Sequence, residues 1–188
     1  MPASDPQPYA EVTIRPARTA DVRGIRALVA PLAERRLLLN KEAVAYYETV
    51  GDFVVAERAG AIVGCGAVHV MWEDLAEIRT LAVADSERGT GLGSALLDRL
   101  VGRARDLGVR RIFCLTFETR FFARFGFEPI DGQAVEPAVY AELLRSYDEG
   151  VAEFLDLERV KPNTLGNTRM LLVLPVAAKE AGLPSRAG

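Results

Sequence analysis

The sequence predicts an α/β fold of the α+β kind: a mixed, mostly antiparallel twisted sheet with helices on both faces. Alternating apolar residues favour three successive strands joined by short turns, over residues 52–58, 61–70 and 74–84. The third strand leads through a glycine-rich loop into a long helix and then a buried strand, which together make one βαβ unit. A meander joined to a βαβ unit gives a mixed sheet that needs helices to cover its apolar faces.

The other elements extend this core in chain order. Alternation over residues 9–15 predicts the first strand, and apolar spacing from Val22 to Leu32 predicts the first helix, with Thr19 as its cap. The remaining predicted elements are a second helix (43–50), the helix after the loop (92–107, ended by Gly108), a strand (110–117), a short helix (118–125), a strand (126–130), a helical segment (134–144) and a last interior strand (169–174).

Length and composition predict one domain, residues 9–175, because 188 residues suit a single core and no repeat or long linker divides them. The prolines of residues 1–8 predict a disordered lead without the features of a signal peptide, and the small residues of 176–188 predict a disordered tail. A net charge of −3 argues against nucleic-acid and anionic-membrane partners. Cys65 and Cys114 are expected as buried thiols, which favours a cytoplasmic location and no metal site.

The glycine-rich loop has the properties of an anion site. Its residues, Arg88-Gly89-Thr90-Gly91-Leu92-Gly93-Ser94, lie between a strand and the N-terminus of a helix. The glycines allow close approach of the backbone, the helix end adds N–H groups and partial positive charge, and Arg88 offers a charge-assisted bond to phosphate. The sequence lacks both the Gly-Lys-Ser/Thr of a Walker A loop and the later acidic residue of a dinucleotide fingerprint. A simple tight turn is the competing interpretation.

Two motifs together resemble the GNAT acyltransferase superfamily, which binds acetyl-CoA. One is Arg-x-x-Gly-x-Gly after a strand that carries Leu81-Ala82-Val83, and the other is residues 121–127 with their closing Gly-Phe. The resemblance is closest to the acetyltransferase domain of N-acetylglutamate synthases, and to their short actinobacterial form, and runs from about Ile14 to Leu174. It rests on four segments, residues 63–70, 74–83, 113–119 and 160–172.

This resemblance implies a GNAT fold and acetyl transfer from acetyl-CoA to the α-amine of L-glutamate, with L-glutamine as a second acceptor, at the first step of arginine biosynthesis. A small-molecule amino acid would then be the partner, and a homodimer is left open. The longer synthases carry an amino-acid-kinase-like domain before this one, so their arginine regulation is left open as well. Two competing functions are an acetyltransferase for a different amine or a protein N-terminus, and a non-catalytic acyl-CoA sensor.

The resemblance also implies where the cofactor lies. The CoA diphosphate would bind residues 88–94, and the pantetheine arm would run along Leu81, Ala82 and Val83, where the fourth and fifth strands splay. The Leu81 N–H is the candidate donor to the thioester carbonyl. Many relatives carry a Tyr on the next short helix as acid for the departing thiolate, whereas this chain has Phe121-Phe122. Protonation by Glu118, protonation by a water and departure without an acid all stay open.

Glu77 is the candidate general base, acting directly or through water, because relatives place an acid at this strand position. The competing interpretation is an ordinary carboxylate paired with Arg79 or Lys41, and His69 is a second, weaker candidate. Residues 77, 79 and 81 share a face if the strand is regular, which puts Glu77 about 13 Å from Leu81. A bulge or a water relay is therefore required.

The two carboxylates of a glutamate substrate need cations and hydrogen-bond donors. Lys41 matches basic residues that touch glutamate in the longer synthases. The further candidates, expected to face the same cleft, are Arg79, Thr116, Thr168 and Arg169.

Overall fold

The computed structural model describes residues 11–35, 37–38, 41–132, 134–155 and 167–175. Within these ranges seven strands form one open sheet, accompanied by six α-helices. The strands are β1 (Thr13–Pro16), β2 (Phe53–Arg58), β3 (Ala61–Trp72), β4 (Leu75–Val83), β5 (Arg111–Thr116), β6 (Glu128–Pro129) and β7 (Thr168–Val173). The helices are α1 (Val22–Glu34), α2 (Ala43–Glu48), α3 (Leu92–Asp106), α4 (Thr119–Ala123), α5 (Pro137–Leu143) and α6 (Glu149–Phe154).

The sheet is mixed, as predicted. Its strand order is β1-β2-β3-β4-β5-β7-β6, and only the β4–β5 pair is parallel among the described strands. The single parallel pair belongs to the predicted βαβ unit, in which α3 connects β4 to β5. The last strand, β7, lies between β5 and β6, which confirms the predicted interior position.

Helices cover both faces of the sheet. On one face α3 buries Leu96, Leu97 and Leu100 completely. On the other face α1 packs Val22 and Ile25 against β2 and β3, and α2 adds its buried tyrosine. Each fully buried aliphatic side chain stabilises the fold by roughly 1.5–3 kcal/mol before entropy costs.

Two glycines let α3 approach β3 closely. A Cβ atom on Gly64 would lie 2.8 Å from Leu96 Cδ1, and one on Gly66 would lie 2.6 Å from Leu100 Cδ1. Both separations are shorter than van der Waals contact, so a side chain at either position would force the fully buried Leu96 or Leu100 side chain to shift. This close contact fixes the N-terminus of α3 beside the end of β4.

Some predicted elements need correction. Thr19 does not cap α1; residues Thr19–Asp21 form a 3₁₀ turn, in which the Asp21 carboxylate accepts the Arg18 N–H at 2.7 Å. Asp21 can do so because Arg15 holds it with bonds of 2.7 and 2.9 Å. Helix α6 was not among the predicted elements, and the strand predicted at 126–130 shortens to two residues. The predicted lead (1–8) and tail (176–188) lie outside the described residues.

The buried-thiol prediction is confirmed, because Cys65 and Cys114 are both buried and unbridged. Burial raises the pKa of the Cys65 thiol to about 12. No helix in the described part of the chain is long and apolar enough to cross a membrane. The same residues contain no group of three or more His, Cys, Asp or Glu side chains that could hold a metal ion.

Candidate active site

A cleft opens where β4 and β5 separate. The parallel ladder joins only Leu75 to Arg111, Ala76 to Ile112 and Glu77 to Phe113. Beyond Glu77 the two strands continue, to Val83 and Thr116, without further pairing. The backbone of β4 after Glu77 therefore has no β5 partner on that side, which leaves polar groups for an extended ligand.

Strand β4 has a bulge at Thr80, which is one of the two alternatives expected from the sequence. Arg79 pairs with Ala67 and Ala82 pairs with Cys65, so β4 uses one more residue than β3 over this stretch. Thr80 has φ of 57°, a left-handed conformation that is strained for a β-branched residue. Its carbonyl accepts a bond from the Cys65 thiol at 3.5 Å.

The bulge corrects the expectation that residues 77, 79 and 81 share a face. Glu77 and Arg79 pair with His69 and Ala67, on the face covered by α1 and α2. The Leu81 side chain lies on the α3 face, where its Cδ1 is 3.1 Å from the position of a Cβ on Gly66. The extra residue at Thr80 reverses the alternation, because side chains change face at every residue of a regular strand.

The glycine-rich loop leaves the N-terminus of α3 open. Gly89 and Gly91 have φ of 77° and 88°, and a Cβ on either would meet no atom within 4 Å. The Thr90 hydroxyl oxygen accepts the Leu92 N–H in a long bond of 3.4 Å, and the Ala95 N–H donates to the Gly91 carbonyl at 3.0 Å. By helix geometry the N–H groups of Gly93 and Ser94 have no helical acceptor, so they are available to an anion.

An ion pair between a buried carboxylate and a partly exposed arginine supports this loop from behind. Glu87 is 6% exposed, and Arg58 of β2 donates to its carboxylate at 3.0 Å. The Thr90 hydroxyl donates to the Glu87 carbonyl at 2.8 Å, which fixes the turn. Arg88 points outward, 57% exposed, with Asp85 at 2.9 Å. Its guanidinium is therefore accessible to a phosphate.

At the other end of the cleft lies a chain of charged side chains. Glu77 is 4% exposed, and Arg79 donates to its Oε2 from Nε at 2.7 Å. The same guanidinium donates to Asp148 from Nη1 at 3.1 Å and from Nη2 at 2.7 Å. Burial raises the pKa of Glu77, and the charge and hydrogen bond of Arg79 oppose this.

The chain continues toward the surface through His69 and Asp52. His69 lies opposite Glu77 in the β3–β4 register, with Nδ1 2.8 Å from Asp52 and Nε2 3.8 Å from Asp148. Asp148 also accepts the Val151 N–H at 3.1 Å and so caps α6. Burial raises the pKa of Asp148, but the bonds and charge of Arg79 outweigh burial and bring it to about 2.

Comparison with known proteins identifies this arrangement. The profile of the acetyltransferase (GNAT) family matches residues 31–127. The amino-acid acetyltransferase of Mycobacterium tuberculosis is 56% identical over 86% of this chain and 94% of its own length. This chain belongs to the acetyltransferase (GNAT) family. The protein is an acyltransferase, and its sheet is the GNAT sheet that the sequence predicted.

Two solved structures are similar to this GNAT chain. Rv2747 from Mycobacterium tuberculosis, in complex with CoA and NLQ, matches at a TM-score of 0.83 and 55% identity over 87% of this chain and 99% of that one. N-acetylglutamate synthase from Neisseria gonorrhoeae, complexed with coenzyme A and N-acetyl-glutamate, matches at 0.71 and 26% identity. That alignment covers 88% of this chain but 36% of the synthase, so this chain corresponds to about a third of the longer protein.

The predicted substrate residues of the GNAT chain divide between the two faces of the sheet. Lys41 lies near Glu77, since its charge lowers the pKa of that carboxyl, and it lines a cavity of about 70 Å³ with Arg26 and Tyr46. Arg79 is already held by two carboxylates. Arg169 donates to the backbone carbonyls of Gly132 and Phe154.

The two predicted threonines lie on the other face. Thr116 pairs with Thr168 across β5 and β7, and strand alternation places both with Cys114 and Met170 on the α3 face. The Thr116 hydroxyl accepts the Glu118 N–H at 2.9 Å and so fixes the turn into α4. The structure therefore does not bring Thr116 and Thr168 together with Glu77 and Arg79.

The short helix α4 carries apolar rings where many GNAT enzymes have a Tyr. Phe122 is buried and packs edge-on against Phe127 at 5.2 Å between ring centroids. Phe121 lies beside the start of α3, 3.8 Å from the position of a Cβ on Gly93. Glu118, a candidate acid for the thiolate, is exposed at the N-cap of this helix.

Sequence reasoning missed Asp148, Asp52 and the Arg58–Glu87 pair. A signal existed for Asp148, because an Asp before apolar residues at helical spacing, here Val151 and Leu155, is typical of a helix N-cap. The contacts of Asp148 with Arg79 span 69 positions and leave no local pattern.

Proposed function

We propose that this chain is an amino-acid N-acetyltransferase that moves the acetyl group of acetyl-CoA to the α-amine of L-glutamate, with L-glutamine as a second acceptor. The observation that carries the proposal is the β4–β5 cleft, with an open anion loop at one end and the buried Glu77–Arg79 pair at the other. The relatives solved with CoA and NLQ, and with coenzyme A and N-acetyl-glutamate, support it. Such an enzyme would act at the first step of arginine biosynthesis, in the cytoplasm.

The cofactor would lie along the cleft. The diphosphate of acetyl-CoA binds the N–H groups of residues 88–94 and the Arg88 guanidinium. The pantetheine arm pairs with the free side of β4 at Leu81, Ala82 and Val83, next to the bulge. The Leu81 N–H donates to the thioester carbonyl, where negative charge develops during attack.

Glu77 acts as the general base. The ammonium group of the amino acid must lose a proton before it attacks, and Glu77 takes this proton through a water molecule. A raised pKa suits the role, because a base works best when its pKa is near the working pH. The amine nitrogen then bonds to the acetyl carbon, the carbon–sulfur bond breaks, and the CoA thiolate leaves. The nitrogen gives up its second proton as the amide forms, and water carries this proton to the thiolate, because Phe121 and Phe122 offer no side-chain hydroxyl.

Loop variants should weaken CoA binding without unfolding the domain. In Arg88→Ala the loss of a charge-assisted phosphate contact should cost roughly 1.5–3 kcal/mol of binding free energy. In Gly91→Val the side chain strains the positive φ and blocks the approach of the phosphate. Calorimetric titration with CoA measures both variants. Gly102→Val is the matched control, because Gly102 also has open space around it but lies inside α3. Unchanged CoA affinity in both loop variants would end the phosphate-loop assignment.

Variants of the predicted substrate-binding residues should change the KM for glutamate and the KM for acetyl-CoA by different amounts. Lys41→Ala and Arg169→Ala are expected to raise the KM for glutamate far more than the KM for acetyl-CoA, since each removes a cation that can hold a carboxylate. Steady-state kinetics with each substrate varied measures this, and the exposed Arg145→Ala is the control. Equal, small effects on both KM values would mean that Lys41 and Arg169 are surface charges that do not bind glutamate. A loss of stability alone in Arg169→Ala would assign it to holding the Gly132 and Phe154 carbonyls.

A thiol-release assay over a panel of amino acids tests the proposal. The protein is mixed with acetyl-CoA and each amino acid, an aminoglycoside or a peptide N-terminus, and free thiol is followed. The proposal expects the highest kcat/KM with glutamate or glutamine. If another amine gives the highest turnover, the chain is an acetyltransferase with a different substrate. If CoA binds but no mixture releases thiol, the chain is a non-catalytic acyl-CoA sensor.

A further inference from the structure

Arg79 is shared between two carboxylates with different surroundings. The Glu77 side chain is 5% exposed, whereas the Asp148 side chain is 29% exposed. Asp148 accepts a bond on each carboxylate oxygen, from Nη1 and from Nη2, whereas Glu77 accepts the Nε bond on Oε2 alone, with Nη2 also 2.6 Å from that oxygen. The guanidinium is thus held between the two acids, and its positive charge is divided between them.

Charged and titratable groups from five parts of the fold surround Glu77. Arg79 is on its own strand, His69 is opposite on β3, and the buried Cys114 thiol is on β5, on the other face of the sheet. Lys41 before α2 favours the charged form of Glu77, and Asp148 before α6 disfavours it. Asp148 is the one anion of this group that touches Arg79, among the described residues. It therefore weakens the stabilisation that Arg79 gives to the Glu77 carboxylate.

We propose that Asp148 is a positioning residue for acetyl transfer, which holds Arg79 in place and keeps the Glu77 carboxylate basic enough to take the proton of the amine. This inference rests on the proposed function, because it assumes that Glu77 is the base. Without Asp148 the full charge of Arg79 would act on Glu77. The carboxylate would then be a weaker base.

Asp148→Asn removes the charge and keeps most of the geometry. Asn has nearly the same shape and is as good an N-cap as Asp, and its Oδ1 can still accept bonds from Val151 and from Arg79 Nη2, although the bond from Nη1 is lost. The acidic limb of the kcat profile against pH should move to lower pH, because Glu77 now loses its proton more readily. The plateau rate should fall. Asp148→Glu, which keeps the negative charge, should leave the acidic limb near its position in the parent protein.

Asp52→Asn is the matched control. It removes the same charge from the same face, but Asp52 contacts His69 and not Arg79. The acidic limb of the kcat profile should therefore move less in Asp52→Asn than in Asp148→Asn. A second readout does not depend on turnover: the Glu77 carboxyl carbon is titrated by NMR in ¹³C-glutamate-labelled protein, with its signal assigned by its loss in Glu77→Gln. In Asp148→Asn this titration should also move to lower pH.

The outcomes separate this inference from the proposed function. If the limb and the carbon titration stay in place in folded Asp148→Asn, while Glu77→Gln loses its limb, Asp148 has no positioning role and only this inference is overturned. If Glu77→Gln keeps its acidic limb, the base assignment fails and the inference falls with it.

Discussion

Glu77→Gln should lower kcat by about 10²–10⁴-fold and remove the acidic limb of its pH profile, which is the usual effect of losing a general base. Gln keeps the shape of the side chain and can still accept a bond from Arg79, so the fold should survive. The reason for the loss is chemical, because an amide cannot take the proton of the substrate ammonium group. Steady-state kcat from about pH 5 to 9 is the measurement.

The control for this variant is Glu87→Gln. Glu87 is also a buried carboxylate held by an arginine, Arg58, but it lies behind the anion loop. Its loss should raise the KM for acetyl-CoA and leave the acidic limb in place. If Glu77→Gln keeps both its rate and its limb, the base is Glu118, His69 or water.

Arg79→Met should lower the free energy of unfolding by about 3–5 kcal/mol, because it leaves the buried Glu77 carboxylate without its hydrogen-bonded cation. Met fills the space of the arginine stem, so most of the loss comes from the charge. This is the largest expected effect on stability in the cleft. Urea unfolding measured at several pH values tests it.

The pH dependence of this loss has a definite sign. Burial holds the folded pKa of Glu77 above its unfolded value, and losing Arg79 raises it further. Stability from such a group is complete below the unfolded pKa and is lost as pH rises through the folded pKa. The deficit of Arg79→Met should therefore be small at acid pH and grow toward neutral pH. Arg145→Met, which breaks an exposed pair with Glu142, should cost no more than about 0.5 kcal/mol. If the loss of unfolding free energy in Arg79→Met does not change with pH, the charge on Glu77 is not its cause.

The elements around the loop were predictable because their signals are local. Leu92, Leu96 and Leu100 repeat at helical spacing, and the glycines before them mark the loop. The interior position of β7 follows from an apolar run that suits a strand with neighbours on both sides. The base candidate Glu77 came from its strand position together with a family resemblance.

The parts that could not be predicted depend on contacts across the fold. A bulge was one expected alternative, but its position at Thr80 was not predictable, because no glycine or proline marks it, and regular alternation placed Leu81 on the wrong face. The pairing of Arg79 with Asp148 joins β4 to the start of α6, 69 residues later. The sequence shows both residues as ordinary charges, and only the folded cleft shows that they share one guanidinium.

The central claim is that the chain acetylates the α-amine of glutamate, and product identification tests it most directly. Protein, acetyl-CoA and L-glutamate are mixed, free CoA is counted by its thiol, and N-acetylglutamate is measured by mass spectrometry in the same samples. We expect one N-acetylglutamate for each CoA released, with both signals lost in Glu77→Gln. Thiol release without acetylated glutamate, or CoA binding without either product, would contradict it.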